Sequence, residues 1–273
     1  MTTVARRGVD RITAAFARAK EEQRLCIVVY ITVGFPERDS TVALATAAVD
    51  GGADIIELGV PFSDPLADGA TVQRASDTAL RNGIRLGDCI AAAGEVVRAR
   101  DVPVLLMGYT NSFLRYGVDR FVADAAPQGV AGLIVVDLPS EEGAAFDPVL
   151  SSAGMVRIDL YAPTTPDARL ARLLPSSRGF AYCVSLTGVT GARAAVGPDV
   201  AAFVGRVRAR TQLPLVVGFG ISRPEHVAGL RGVADGVAIG SAVLDAISTA
   251  EPARRADALT SFVAGLAAAG RSA

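Results

Sequence analysis

Residues 57–69 read ELGVPFSDPLADG, and three carboxylates fall in that one stretch: Glu57, Asp64 and Asp68. Glu57 closes the apolar run ADIIEL (53–58), a costly place for a charge unless chemistry calls for it. Asp64 and Asp68 follow in a proline-punctuated loop. Acids gathered at the mouth of a buried strand are candidates for general acid–base work. What the chain lacks narrows the field further. Its only lysine is Lys20, in a polar N-terminal segment, and its only histidine is His226. A Schiff-base aldolase, or an enzyme holding its own pyridoxal phosphate, needs a lysine in a desolvated pocket. A histidine-rich metal site needs several imidazoles. Neither is expected, so carboxylates and tyrosines must carry any proton transfer. The cysteines Cys26, Cys89 and Cys183 have neither zinc nor redox spacing and read as reduced packing residues.

A second group of residues points to an anion. The segments GFGIS (218–222) and IGSA (239–242) place glycines where strands pass into helices. Glycine there lets backbone N–H groups approach a ligand, and the helix that follows adds the positive end of its dipole. Two such turns after the last two strands match the phosphate cradle of a (β/α)8 barrel. The competing reading is that these glycines only make tight turns. A third glycine-rich stretch, SLTGVTGAR (185–193), reads as a mobile loop and a candidate lid, though taken alone such a stretch is more often an ordinary surface loop.

The elements that must position these groups follow from the pattern of apolar runs. Eight strand-like runs recur: 25–32, 53–58, 102–107, 130–137, 154–161, 179–185, 213–219 and 234–240. Between them, helical patterns occupy 39–52, 71–80, 86–99, 118–126, 141–151, 166–174, 198–210 and 224–230, with 251–268 after the last strand. Continuous apolar strands joined by helices mean a parallel sheet covered by helices. Eight units without a linker predict a single (β/α)8 barrel domain over 1–273, a TIM barrel; an open doubly wound sheet is the competitor. Residues 5–23 read as an extra N-terminal helix, placed to plug the barrel's N-terminal end. In a barrel, chemistry belongs at the C-terminal ends of the strands, and alternation turns Ala53, Ile55 and Glu57 inward.

Half of the 273 residues are hydrophobic (51%), enough for a sizeable core, and the net charge is −1. With arginines scattered, nothing marks a nucleic-acid or membrane partner. No apolar stretch approaches the roughly 18 residues that span a bilayer, and the first fifteen residues lack a signal peptide's apolar core. A soluble, cytoplasmic protein is expected.

Taken together, these segments closely resemble the tryptophan synthase alpha chain family. The resemblance is carried by ELGVPFSDPLADG (57–69), MGYTNSFLRYG (107–117), VVDLPSEE (135–142), GVTGAR (188–193), GFGIS and IGSA, in the family's order and spacing over roughly residues 8 to 250. It implies a lyase that cleaves indole-3-glycerol phosphate to indole and glyceraldehyde 3-phosphate by a retro-aldol reaction. It also implies an alpha2-beta2 tetramer: indole passes through a tunnel to a beta chain, which holds pyridoxal phosphate, and this chain needs no cofactor.

By position, Glu57 matches the family's proton-transfer glutamate and Asp68 the aspartate that faces the indole N–H. We expect Glu57 to sit in an apolar wall that raises its pKa, and Asp68, more solvated and hydrogen-bonded, to stay ionised. Tyr30, Tyr109, Val136 and Tyr182 match positions lining the indole pocket. Gly191, Phe219, Gly220, Gly240 and Ser241 match the phosphate site, and Thr190 the lid threonine that closes near the aspartate. Asp64, in a turn-forming Ser-Asp-Pro triplet, matches a loop that lies against the beta chain. His226 matches no role and reads as a surface or packing residue. Two departures stand out: Leu186 replaces an arginine common in the lid, and NSFLRYG differs from a commoner proline-containing version. A free-standing indole-glycerol phosphate lyase, a non-catalytic activator of a beta-type partner, and another phosphosugar barrel such as an isomerase are the rival functions.

Overall fold

The computed structural model describes residues 8–184, 198–218 and 220–271. Helix α1 (Gly8–Glu21) leads into strand β1 (Cys26–Thr32), α2 (Thr41–Asp50) and β2 (Ile55–Gly59). Then come α3 (Ala70–Arg81), α4 (Leu86–Ala99), β3 (Val104–Gly108), α5 (Thr110–Tyr116), α6 (Val118–Ala125) and β4 (Val130–Val135). Helix α7 (Asp147–Ser152), β5 (Val156–Tyr161), α8 (Asp167–Leu173), β6 (Ala181–Val184) and α9 (Pro198–Arg208) follow. Strand β7 (Leu215–Gly218), α10 (Pro224–Ala228), β8 (Gly236–Ile239), α11 (Ser241–Thr249) and α12 (Arg255–Ala269) complete the order. The strands run parallel and close on themselves in sequence order, β1 pairing with both β2 and β8. The open doubly wound sheet is thereby excluded.

Strand alternation divides the core in two. Cys26, Val28, Ile55, Leu105, Ile134, Ile158, Phe180 and Val216 pack together inside the barrel. Their neighbours Ile27, Val29, Ile56, Val104, Leu106 and Val217 face outward and pack under the helices. Because both faces are covered, the strands read as continuous apolar runs.

Helix α1 closes the N-terminal end of the barrel. Ile12, Ala15, Phe16 and Ala19 join the interior cluster, and the Phe16 ring lies 5.6 Å from that of Phe180. Burying a side chain of this size stabilises by about 1.5–3 kcal/mol. Arg11 donates to the carbonyls of Gly129 and Val102. Arg18 from the same helix, and Arg24 just beyond it, grip the buried Asp54 carboxylate at the foot of β2. Helix α1 thus covers the barrel interior from that end.

Four helical segments depart from the sequence pattern. The helix expected over 141–151 breaks into a 3-10 turn (Ser140–Ala145) and α7, which begins afresh at Asp147-Pro148. Arg157 of β5 holds the break by donating to Asp147 and to the Ser140 carbonyl. Helix α12 starts at Arg255, behind a 3-10 turn over Pro252–Arg254. Helices α5 and α11 were absent from the pattern of helical runs. Among the described residues, no helix is long and apolar enough to cross a membrane.

Candidate active site

At the C-terminal end of β2, alternation turns Glu57 inward, level with Tyr30 of β1 and Leu105 of β3. Its side chain is buried, at 1% exposure. One carboxyl oxygen, Oε1, has no hydrogen-bond partner among the described residues. Burial without compensation favours the neutral acid and pushes the Glu57 pKa up to about 8. At neutral pH this group therefore carries a proton it can donate.

The loop after β2 brings the second acid over the same opening. Asp68 is half-buried, and its Oδ2 accepts the Tyr109 hydroxyl at 2.8 Å. That hydroxyl in turn accepts the Ala67 N–H at 3.0 Å. Phe62 stacks on the Tyr109 ring with centroids 4.9 Å apart, so loop and tyrosine form one unit. Partial burial raises the Asp68 pKa above its ordinary value, while the Tyr109 bond pulls it down. Asp68 is thus hydrogen-bonded and less deeply buried than Glu57, and its burial sets the direction of the shift. The contrast between the acids remains, since the phenol supports the anion at Asp68 and nothing described supports it at Glu57.

Tyr30 and Tyr182 line the space between these groups. Thr32 donates to the Tyr30 hydroxyl at 3.2 Å, and burial raises the pKa of both phenols. After burial, the charges of Glu57 and Asp68 are among the causes that raise both phenols, so the two acids lie near Tyr30 and Tyr182. Glycines make the room. A Cβ on Gly59 would lie 2.1 Å from the Tyr30 Oη, and one on Gly218 would lie 2.4 Å from the Tyr182 ring. Val136, half-buried just beyond β4, packs against the interior cluster.

Asp137, beside it, was missed in the sequence. Its Oδ1 accepts both the N–H and the hydroxyl of Thr110, at 2.7 and 2.9 Å. It thus caps α5 directly after Tyr109 and fixes where that phenol stands. The available signal was an acid closing an apolar strand, as at Glu57.

The anion end is built from backbone. Gly220 turns the chain with φ +79°, and Gly240 precedes the first residue of α11, Ser241. The Val243 and Leu244 N–H groups donate to the Gly240 carbonyl, which leaves the Ser241 and Ala242 N–H groups, ahead of the helical ladder, to meet an anion. Thr190, Gly191, Phe219 and Leu186 lie outside the described residues. Asp64 is not gathered with the other acids: it is exposed, accepts the Ser63 hydroxyl at 2.5 Å, and borders Leu66, which is 92% exposed. Among the described residues, no three His, Cys, Asp or Glu side chains converge as a metal ion requires.

The family model described as "Tryptophan synthase alpha chain" matches residues 16–269. The tryptophan synthase alpha chain of Chloroflexus aggregans is 47% identical over 263 residues, 96% of this chain and 98% of that one. That of Roseiflexus castenholzii is 48% identical over 257 residues, 93% and 98% of the two chains. Among solved structures, an aminoacrylate-bound form of tryptophan synthase from M. tuberculosis superposes with a TM-score of 0.86 at 35% identity, covering 96% of this chain and 99% of that one. The alpha chain from Legionella pneumophila gives 0.86 at 35% identity over 95% and 96%. With a family match over most of its length and relatives at 47–48% identity, this chain belongs to the tryptophan synthase alpha chain family.

Proposed function

We propose that Glu57 and Asp68 cleave indole-3-glycerol phosphate between them, giving indole and glyceraldehyde 3-phosphate. Breaking the bond from indole C3 to the glycerol chain requires that C3 first gain a proton, which turns the ring into an electron sink. Glu57, neutral until about pH 8, supplies that proton. The positive charge that develops at the ring nitrogen lies against Asp68, whose anionic form the Tyr109 hydroxyl supports. The Glu57 carboxylate left behind then takes the proton of the adjacent glycerol hydroxyl as the carbon–carbon bond breaks. One proton leaves Glu57 and one returns, so the acid is restored. Such a reaction needs no Schiff base, in keeping with a chain whose only lysine is Lys20.

Tyr30, Val136 and Tyr182 form the indole slot, and Gly220, Gly240 and Ser241 hold the phosphate, with Thr190, Gly191 and Phe219 completing lid and cradle. The whole chain, 1–273, acts as one barrel unit in the cytoplasm. It works in an alpha2-beta2 assembly, where the beta chain holds pyridoxal phosphate and joins the indole to serine. Asp64 and the exposed Leu66 lie on the surface offered to that chain.

The observation that carries this reading is a Glu57 buried at the C-terminal end of β2 with Oε1 unpartnered among the described residues, in a chain where Asp68 follows in the next loop. Indole release from indole-3-glycerol phosphate by the wild type, Glu57→Gln and Asp68→Asn tests it, with and without a beta chain. Near-normal turnover in both variants would overturn the roles. A fast isolated chain unaffected by the beta chain would indicate a free-standing lyase.

A further inference from the structure

His226 is not a surface residue. It is 8% exposed, on α10, four positions beyond the turn that carries Gly220. The Ser222 N–H donates to its Nδ1 at 3.3 Å. The Ser222 hydroxyl lies 3.5 Å from the same nitrogen, and Arg223 NH2 3.4 Å from Nε2. The imidazole therefore touches the turn at two successive residues. Because Nδ1 accepts a backbone N–H, it presents its lone pair to the turn.

These contacts matter because of what surrounds them. Strand β7 is held by pairing with β8 as far as Gly218. Past it the chain turns at Gly220, whose φ of +79° glycine adopts without strain. Two anchors then end the turn: the Ile221 side chain enters the outer core, and the Ser222 N–H ends on His226. Together they fix the plane of the peptide joining Ile221 to Ser222, and so the direction of the amides just before it. A main-chain cradle has no long side chains to adjust to its ligand, so its affinity depends on amides already aimed at the anion.

We propose that His226 is a positioning residue for phosphate: its buried imidazole holds the turn after β7 in the shape that aims the Gly220 amide at the substrate's tail. The inference rests on the phosphate reading of that turn.

The test compares the wild type with His226→Leu, which keeps buried volume and loses the acceptor, and His226→Asn, whose Oδ1 stands near the place of Nδ1. KM and kcat for indole-3-glycerol phosphate, competitive inhibition by inorganic phosphate, indole affinity and melting temperature are measured for each. In His226→Leu, KM and the phosphate inhibition constant should rise about five- to tenfold, the size of one hydrogen bond. The loss should fall on KM rather than kcat, indole affinity should hold, and His226→Asn should recover most of it. His226→Ala serves if the leucine variant does not fold. Unchanged phosphate inhibition in a folded variant, or equal losses for phosphate and indole, would overturn the proposal. Phosphate that does not compete in the wild type would instead refute the cradle itself.

Discussion

The Tyr109 hydroxyl donates to Asp68 Oδ2 at 2.8 Å while accepting the Ala67 N–H at 3.0 Å, so one phenol holds the turn that carries the second acid. It is also the one hydrogen bond that lowers the Asp68 pKa against burial. Tyr109→Phe removes that support, so the Asp68 pKa should rise further. The acidic limb of the kcat/KM profile should then move to higher pH, with turnover at neutral pH down about three- to tenfold. A limb that stays in place would show that Asp68 does not act as the anion.

Glu57 supplies the opposite limb. An acid with a pKa near 8 is competent below that value and spent above it. Activity should fall as pH rises through about 8, and Glu57→Gln should cost on the order of 10²–10⁴ in turnover at pH 7. An alkaline limb that survives unchanged in the residual activity of Glu57→Gln would assign it to another group.

The same buried acid should govern part of the stability. Its ordinary pKa is 4.5 and its folded value about 8, so between these values the folded chain holds a proton that the unfolded chain has lost. Stability from this site is fully present below 4.5 and is lost as pH rises to 8, with a slope approaching 1.4 kcal/mol per pH unit, roughly one group's worth. Glu57→Gln cannot ionise. Its stability relative to wild type, from denaturant midpoints, should climb across that window and then level. A difference independent of pH would mean that Glu57 is ionised inside the barrel.

This acid was legible in the sequence because its position follows from local alternation within ADIIEL. The eight strands were legible for the same reason, as each is a continuous apolar run. What escaped depends on contacts distant along the chain. TNSFLRY forms α5 because Asp137, at the end of the next strand, caps it through Thr110. The break before α7 comes from Arg157 on a strand not yet reached in sequence. The raised Asp68 pKa depends on how deeply the loop folds over the barrel, and the buried placement of His226 on how α10 packs. A spacing motif records neither.

Gly218 shows how register, invisible in the motif, shapes the pocket. Within GFGIS it falls inside the strand expected over 213–219, and it is the last residue of β7, level with Val184 and Ala238. A Cβ there would lie 2.4 Å from the Tyr182 ring. Gly218→Ala should therefore push the phenol into the indole slot, costing about 1–3 kcal/mol of stability, as overpacking does. Indole affinity should fall more than phosphate affinity. Equal losses for the two ligands would point to general loosening of the barrel mouth.

Leu66 and Asp64 allow the partner surface to be separated from the chemistry next to it. Leu66 is 92% exposed, with Leu80 and Leu114 also exposed. An exposed leucine adds little to the stability of the isolated chain, and burying one against a partner is worth about 1.5–3 kcal/mol. Leu66→Asp should leave the melting temperature within about a degree and weaken beta-chain binding roughly tenfold or more. Basal indole release is the control, because Leu66 and Asp68 belong to one loop. If basal turnover and beta-chain stimulation fall together, the substitution has disturbed the Asp68–Tyr109 contact. If only the stimulation falls, the outer side of the loop binds the partner while the inner side holds the acid. That division is what the outward Asp64 and the inward-held Asp68 require.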